Sequence, residues 1–257
     1  MQALRARIQR LDRATPRGLG DFARQLGIWF GFLLAYQLAR GIADRDPVEA
    51  FQNGRLIIDL ERDLRALVEV DIQRVVLSAG DGIVQAINWT YWNSQFTVVG
   101  LALLWVYFRR SDSFLRLRNI LLLANMLALV GFVLMPTAPP RFFPEWGFVD
   151  TLAASAALNH GSGLVQLASN QFAAMPSVHS ADALVLGFVM ASLVRSRAAK
   201  VVWTLWPSWV WFSVMATANH FWLDVAAGVG LAGLAASLVY WAETARRRSE
   251  LDRAVVR

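Results

Sequence analysis

Six long apolar stretches, separated by arginine-rich segments, most limit the folds open to this 257-residue chain. They run Phe22–Ala39, Trp89–Phe108, Asn119–Met135, Ser180–Val194, Val201–Ala218 and Leu223–Trp241. A helix needs roughly 20 mainly apolar residues to cross the hydrocarbon core of a bilayer, and each stretch is near that length. In lipid every backbone N–H and C=O must be bonded internally, so such stretches resolve into continuous helices. The expected fold class is therefore all-α: a polytopic membrane protein, one domain over residues 1–257, built on a six-transmembrane-helix bundle. Composition agrees. The chain is 56% hydrophobic, against roughly 45–50% in soluble proteins, and its eleven Trp and fifteen Phe suit interfacial aromatic belts. The first stretch also fits the apolar part of a signal peptide. Its long basic lead-in and lack of an Ala-x-Ala site favour a retained helix.

Charge placement gives an orientation. Of the 25 Lys and Arg, 18 fall in residues 1–25, 109–118, 195–200 and 243–257, and seven fall in residues 40–88 and 136–179. Cytoplasmic loops carry the excess of basic residues, so both termini are expected in the cytoplasm. Residues 44–79, the loop 136–179 and the turn 219–224 then lie outside. The net charge of +6 is spread beside apolar stretches, which argues against a nucleic-acid partner and for membrane lipids. The absence of cysteine excludes a disulfide framework, a thiolate zinc site and a cysteine nucleophile.

Two outer segments are long. Residues 44–79 place Ile57, Leu60, Leu64, Leu67, Val68, Ile72 and Val75 at helical spacing among charged residues. They predict an extracytoplasmic amphipathic helix, lying in the interface or capping the bundle. The loop from Pro136 to Met175 exceeds the roughly 12–15 residues of ordinary connections, and its apolar stretches around Gly161 and Gly163 predict short helices over a site.

On this outer face lie the ionisable residues with chemical promise. His220 and Asp224 stand four apart in Asn219-His220-Phe221-Trp222-Leu223-Asp224, a spacing that puts both on one helix face. A carboxylate bonded to one ring nitrogen fixes the tautomer and directs the other nitrogen outward, the arrangement of a nucleophile with an orienting group; helix packing at the interface is the plainer alternative. Pro176-Ser177 before an apolar run marks a helix start, with His179 in its first turn, where a proton donor would meet the anion-attracting helix end. Arg141, after Pro139-Pro140, is the only basic residue between 136 and 179. Guanidinium suits phosphate oxygens, although a headgroup anchor is an equal reading. Together the set points to phosphoryl transfer.

These residues also resemble a known family, the type 2 phosphatidic acid phosphatase superfamily, and most closely its inositolphosphorylceramide-synthase-like (inositolphosphotransferase) branch. Pro139-Pro140-Arg141 resembles the end of its first signature, Ala173-Ala174-Met175-Pro176-Ser177-Val178-His179 the second, and Ser213 through Asn219-His220-Phe221-Trp222-Leu223-Asp224 the third. The coverage is Pro136 to Gly228. The resemblance implies His220 as a nucleophile that becomes phosphohistidine, Asp224 as its orienting acid, His179 as general acid and Arg141 as phosphate holder, with no metal and no cofactor. It implies a lipid-linked phosphate substrate and water, a polyol or a lipid hydroxyl as acceptor. Three positions depart: residues 128–137 lack the upstream lysine, Val214 stands where arginine follows the serine, and Val178 replaces a glycine. Two phosphate-binding cations are thus missing, which favours a phosphodiester over a dianionic monoester.

Further candidates for substrate contact are Ser177, Asn219, Ser213, Asp182 and His160 beside Asn159. Each has an ordinary structural alternative: capping, backbone bonding, helix packing or surface exposure. Trp89, Tyr91 and Trp92 read as an aromatic belt. Competing functions are zinc hydrolysis through two histidines and an aspartate, a haem-binding or transport bundle, and a serine hydrolase at Ser177, for which no Gly-x-Ser-x-Gly elbow is present.

Overall fold

The computed structural model describes residues 12, 14–43, 47–153 and 172–255. It is all-helical, and among the described residues the only non-helical pairing is an isolated bridge between Thr137 and Ala173. Helices α1 (Leu19–Ala43), α2 (Pro47–Asp63), α3 (Glu69–Ser78) and α4 (Asp81–Asn93) are followed by a π-helical turn, Ser94–Val98. Then come α5 (Val99–Arg109), α6 (Ser111–Leu134), α7 (Val178–Leu193), α8 (Arg197–Ala216) and α9 (Trp222–Val255).

Each apolar stretch of the sequence falls in this helical set, but the lengths differ from expectation. By length and composition, α6 and residues Trp222–Ala254 of α9 are long and apolar enough to cross a membrane, whereas α7 is apolar but shorter. The second stretch is divided by the π turn, and α8 is diluted by Trp203, Trp206, Trp209 and Trp211.

The bundle core comes from α5, α6, α7 and α9. Val99, Val106, Leu117, Leu121, Ala124, Leu186 and Ala235 are buried together there. Small residues let helices approach. A Cβ on Gly187 would lie 2.6 Å from the Pro207 ring, one on Gly131 2.4 Å from Pro176, and one on Gly228 2.2 Å from the Ser177 carbonyl oxygen. The last two contacts wedge the start of α7 between α6 and α9. A second apolar cluster, Ala50, Ile57, Ile58, Ala138, Phe143, Phe148, Ala218 and Phe221, joins α2 to the loop after α6 and the α8–α9 turn.

The outer segment corrects the sequence reading. The single amphipathic helix is two helices, broken at Arg65, whose φ of 55° is left-handed. The apolar positions divide: Ile57 is buried and Leu60, Leu64, Val68 and Val75 are exposed, while Glu61, Glu69 and Gln73 are buried. In the outer loop the described part, to residue 153, forms 3-10 turns at Pro140–Phe142 and Pro144–Trp146. The short helices anticipated around Gly161 and Gly163 fall outside the described residues.

Candidate active site

The site is built on the turn between α8 and α9. Ala218 follows the C-cap of α8 with a left-handed φ of 54°. Ala218 N–H donates to Met215 O at 2.9 Å and Asn219 N–H to Val214 O at 3.1 Å, the paired bonds of a Schellman ending. Glycine normally takes that position; an alanine there costs roughly 1–2 kcal/mol, a local strain that the buried surroundings of Ala218 hold in place. The chain is thereby reversed and delivers His220 just ahead of α9.

His220 is nearly buried, and its Nδ1 lies 2.9 Å from the Ala174 carbonyl oxygen. A carbonyl only accepts, so this bond places the imidazole proton on Nδ1 and the lone pair on Nε2. Asp224 Oδ2 is farther from Nδ1, at 3.5 Å, and accepts the Phe221 N–H at 2.8 Å. Asp224 is the third residue of α9, so its carboxylate reaches back to the residue preceding the helix as in a capping box. The sequence reading gave Asp224 the task of fixing the tautomer; that bond is made by Ala174 O, with the carboxylate at ion-pair distance. Asp224 Oδ1 is buried with no hydrogen-bond partner among the described residues.

The anticipated cap of α7 is present. Ser177 Oγ accepts the Ser180 N–H at 3.3 Å and the Ser180 hydroxyl at 3.0 Å. Ser177 N–H donates to Asp224 O at 3.0 Å, tying the two helix starts together. His179, the second residue of α7, comes within 5.6 Å of the His220 ring, centroid to centroid. Its other face stacks on Tyr91, at 4.5 Å and 22° between planes. Tyr91 was placed in the aromatic belt by sequence; its contact with His179 spans 88 residues and leaves no local signal.

Arg141 completes the group. Its backbone N–H donates to Ala218 O at 2.8 Å, and its guanidinium bonds Asn219 Oδ1. Its Nε lies 3.8 Å from Asp150 Oδ2. A partly buried cation is thus docked onto the turn that carries His220.

A sequence model of the PAP2 superfamily matches residues 55–238, more than half of the chain. The chain belongs to the PAP2 superfamily. Membership makes a phosphatase or phosphotransferase type of function the broad expectation, on lipid-linked phosphate, and with the two long apolar helices it marks a membrane protein. No curated protein and no solved structure matches the chain. The PAP2 match begins upstream of the Pro136–Gly228 region recognised by motif, and takes in most of α2 and all of α3.

Within this PAP2 chain the secondary candidates divide. Asn219 joins the group through Arg141, and its amide also donates to Thr217 O at 3.1 Å. Ser213 Oγ donates to Trp209 O within its own helix. Asp182 accepts from Asn125 Nδ2 at 2.9 Å inside the bundle, which is the helix-packing alternative. His160 and Asn159 lie outside the described residues. Val214, where the family pattern has arginine, is buried and its carbonyl anchors the Schellman turn.

Two residues that the sequence did not single out enter the site from outside. Glu69 Oε1 accepts the Trp222 N–H and Glu61 Oε1 the Leu223 N–H, the latter at 3.2 Å.

Proposed function

We propose that the protein is a membrane lipid phosphotransferase or phosphatase that works through a phosphohistidine at His220, with headgroup-phosphate transfer of the inositolphosphotransferase type as the favoured branch. The observation that carries this reading is the Nδ1–H bond of His220 to Ala174 O, which leaves the Nε2 lone pair as the nucleophile beside His179 and Arg141.

The steps follow from the geometry. His220 Nε2 attacks phosphorus while Arg141 balances charge on the phosphoryl oxygens. The bond from phosphorus to the departing lipid or headgroup oxygen breaks, and that oxygen takes a proton from His179. Asp224, 3.5 Å from Nδ1, stabilises the phosphorylated, cationic ring. Water or an acceptor hydroxyl then attacks phosphorus, gives its proton to His179 and releases His220. No step in this sequence requires a metal.

The transferase branch is favoured on charge. Arg141 stands without the lysine and the second arginine of the phosphatase pattern, and a diester carries less charge than a monoester dianion. The alternative is a phosphatase acting on phosphatidic acid or a polyprenyl phosphate. The topology proposed with this reading has six crossings, both termini cytoplasmic and the site outside. It accords with the convergence of Arg141, His179, His220 and Asp224 at one end of the bundle, and with the exposure of the apolar side chains Leu60 and Leu64 on α2 and the linker after it.

Radiolabelled phosphatidylinositol and phosphatidic acid offered to the purified protein test the reading. Acid-labile, base-stable label is expected on wild type, absent from His220→Ala and accumulating when acceptor is withheld. Labelled phosphate appearing on a hydroxyl acceptor identifies a transferase, and free phosphate a phosphatase. Wild-type turnover by His220→Ala would overturn the mechanism.

A further inference from the structure

Glu61 and Glu69 come from different outer helices, yet both are fully buried and both end on the first backbone N–H groups of α9. The remaining oxygen of each, Oε2, is buried with no hydrogen-bond partner among the described residues, and the two carboxyls are brought side by side on the adjacent N–H groups of Trp222 and Leu223. Two carboxyls side by side in a dry site are satisfied only if one carries a proton. Burial pushes Glu61 up to about 9, with the Glu69 charge adding to the rise. Burial likewise raises Glu69, to about 7. The charged and titratable groups around the pair are Asp224 on α9, which disfavours ionisation of both, and His220 beside it.

We propose that Glu61 and Glu69 form a proton-sharing carboxyl pair that acts as a positioning device, holding the first turn of α9 so that His220 and Asp224 keep their registration. The inference rests on the phosphohistidine reading of His220 for its consequence in catalysis. Three acids cap this one helix start: Asp224 on Phe221 N–H, Glu69 on Trp222 N–H and Glu61 on Leu223 N–H. Neither glutamate is placed to touch substrate; they act through the backbone of residues 222 and 223. A shared proton lets two of these acids cap the helix without setting two bare charges against Asp224.

The sign of the pH effect is fixed. Both folded-state values lie above the ordinary 4.5, so the pair's contribution to stability is full below that pH. It is lost as pH rises through about 7 and about 9.

The test uses the full-length protein in detergent micelles with isotope-labelled histidine, which gives three imidazole signals. Glu61→Gln keeps an acceptor for Leu223 N–H and supplies an N–H donor to Glu69, so it mimics the protonated acid. It is expected to retain wild-type kcat on the lipid phosphate that wild type turns over. It should also abolish the alkaline shift that the His220 signal shows in wild type as the pair ionises. Glu61→Ala is expected to lower kcat by about tenfold or more, with KM little changed, and to displace the His220 signal at neutral pH. An alkaline His220 titration identical in wild type and Glu61→Gln overturns the proposal, as does loss of kcat in Glu61→Gln at every pH. Should Glu61→Ala not fold, the Glu61→Gln titration still decides. If wild type turns over no lipid phosphate, the functional reading falls, and the His220 signal judges the pair independently.

Discussion

Two helices begin at the site, and they begin differently. The start of α7 is capped by an uncharged hydroxyl, Ser177 Oγ on Ser180 N–H, with His179 held by the face of Tyr91. The start of α9 is capped by three carboxylates, and the histidine ahead of it is tied to a backbone carbonyl. A helix N-terminus attracts anions through its exposed N–H groups and dipole. At α9 that attraction is spent on the protein's own acids, so the turn bearing the proposed nucleophile is rigid scaffold. Among the described residues no carboxylate takes that place at α7, which suits the end of the site where the phosphate and the departing oxygen are proposed to sit. On the proposed reading, one polar device serves structure in one helix and substrate in the other.

The largest expected effect separates the two duties of Asp224. Asparagine caps a helix about as well as aspartate and keeps an oxygen for Phe221 N–H, but it carries no charge toward His220. Asp224→Asn is expected to leave Tm unchanged while kcat falls by about 10³-fold or more, the scale of neutralising an orienting acid. Unaltered kcat would reduce Asp224 to a cap. Next in size is His179→Gln, where loss of the proton donor is expected to cost about 10²–10³-fold in kcat. The loss should shrink for a substrate whose leaving group needs no proton, such as a p-nitrophenyl ester; an equal loss on both substrates contradicts the general-acid role.

The contrast between the helix starts was half legible in the sequence. Ser177 as a cap and His179 in the first turn follow from local rules, because capping depends on residues three apart. The partners of α9 do not: Glu61 and Glu69 lie 162 and 153 residues from the N–H groups they meet. Periodicity gave residues 44–79 an apolar face but left open whether it lies in the interface or caps the bundle, since apolar spacing shows which side is apolar but not which medium that side meets. Leu60, Leu64, Val68 and Val75 are exposed while Glu61 and Glu69 are buried, so it is the polar side that meets the protein. Ala174 could not have been found at all, because its contribution is a carbonyl that every residue has. The helices themselves were readable because each apolar run is continuous. The break at Arg65 was not, since arginine has no particular preference for the left-handed region.

The smallest expected effect concerns how firmly the α7 side is held. His179 stacks on Tyr91 at 4.5 Å, and an aromatic pair of this kind is worth roughly 0.5–1.5 kcal/mol. Tyr91→Phe preserves the ring and is expected to leave kcat within about twofold. Tyr91→Leu removes the π face that supports a protonated imidazole, and is expected to lower kcat by about three- to tenfold. A Tyr91→Leu enzyme with wild-type kcat would show that His179 is positioned by its backbone alone, and the difference between the two helix starts would then lie in the caps and not in the histidines.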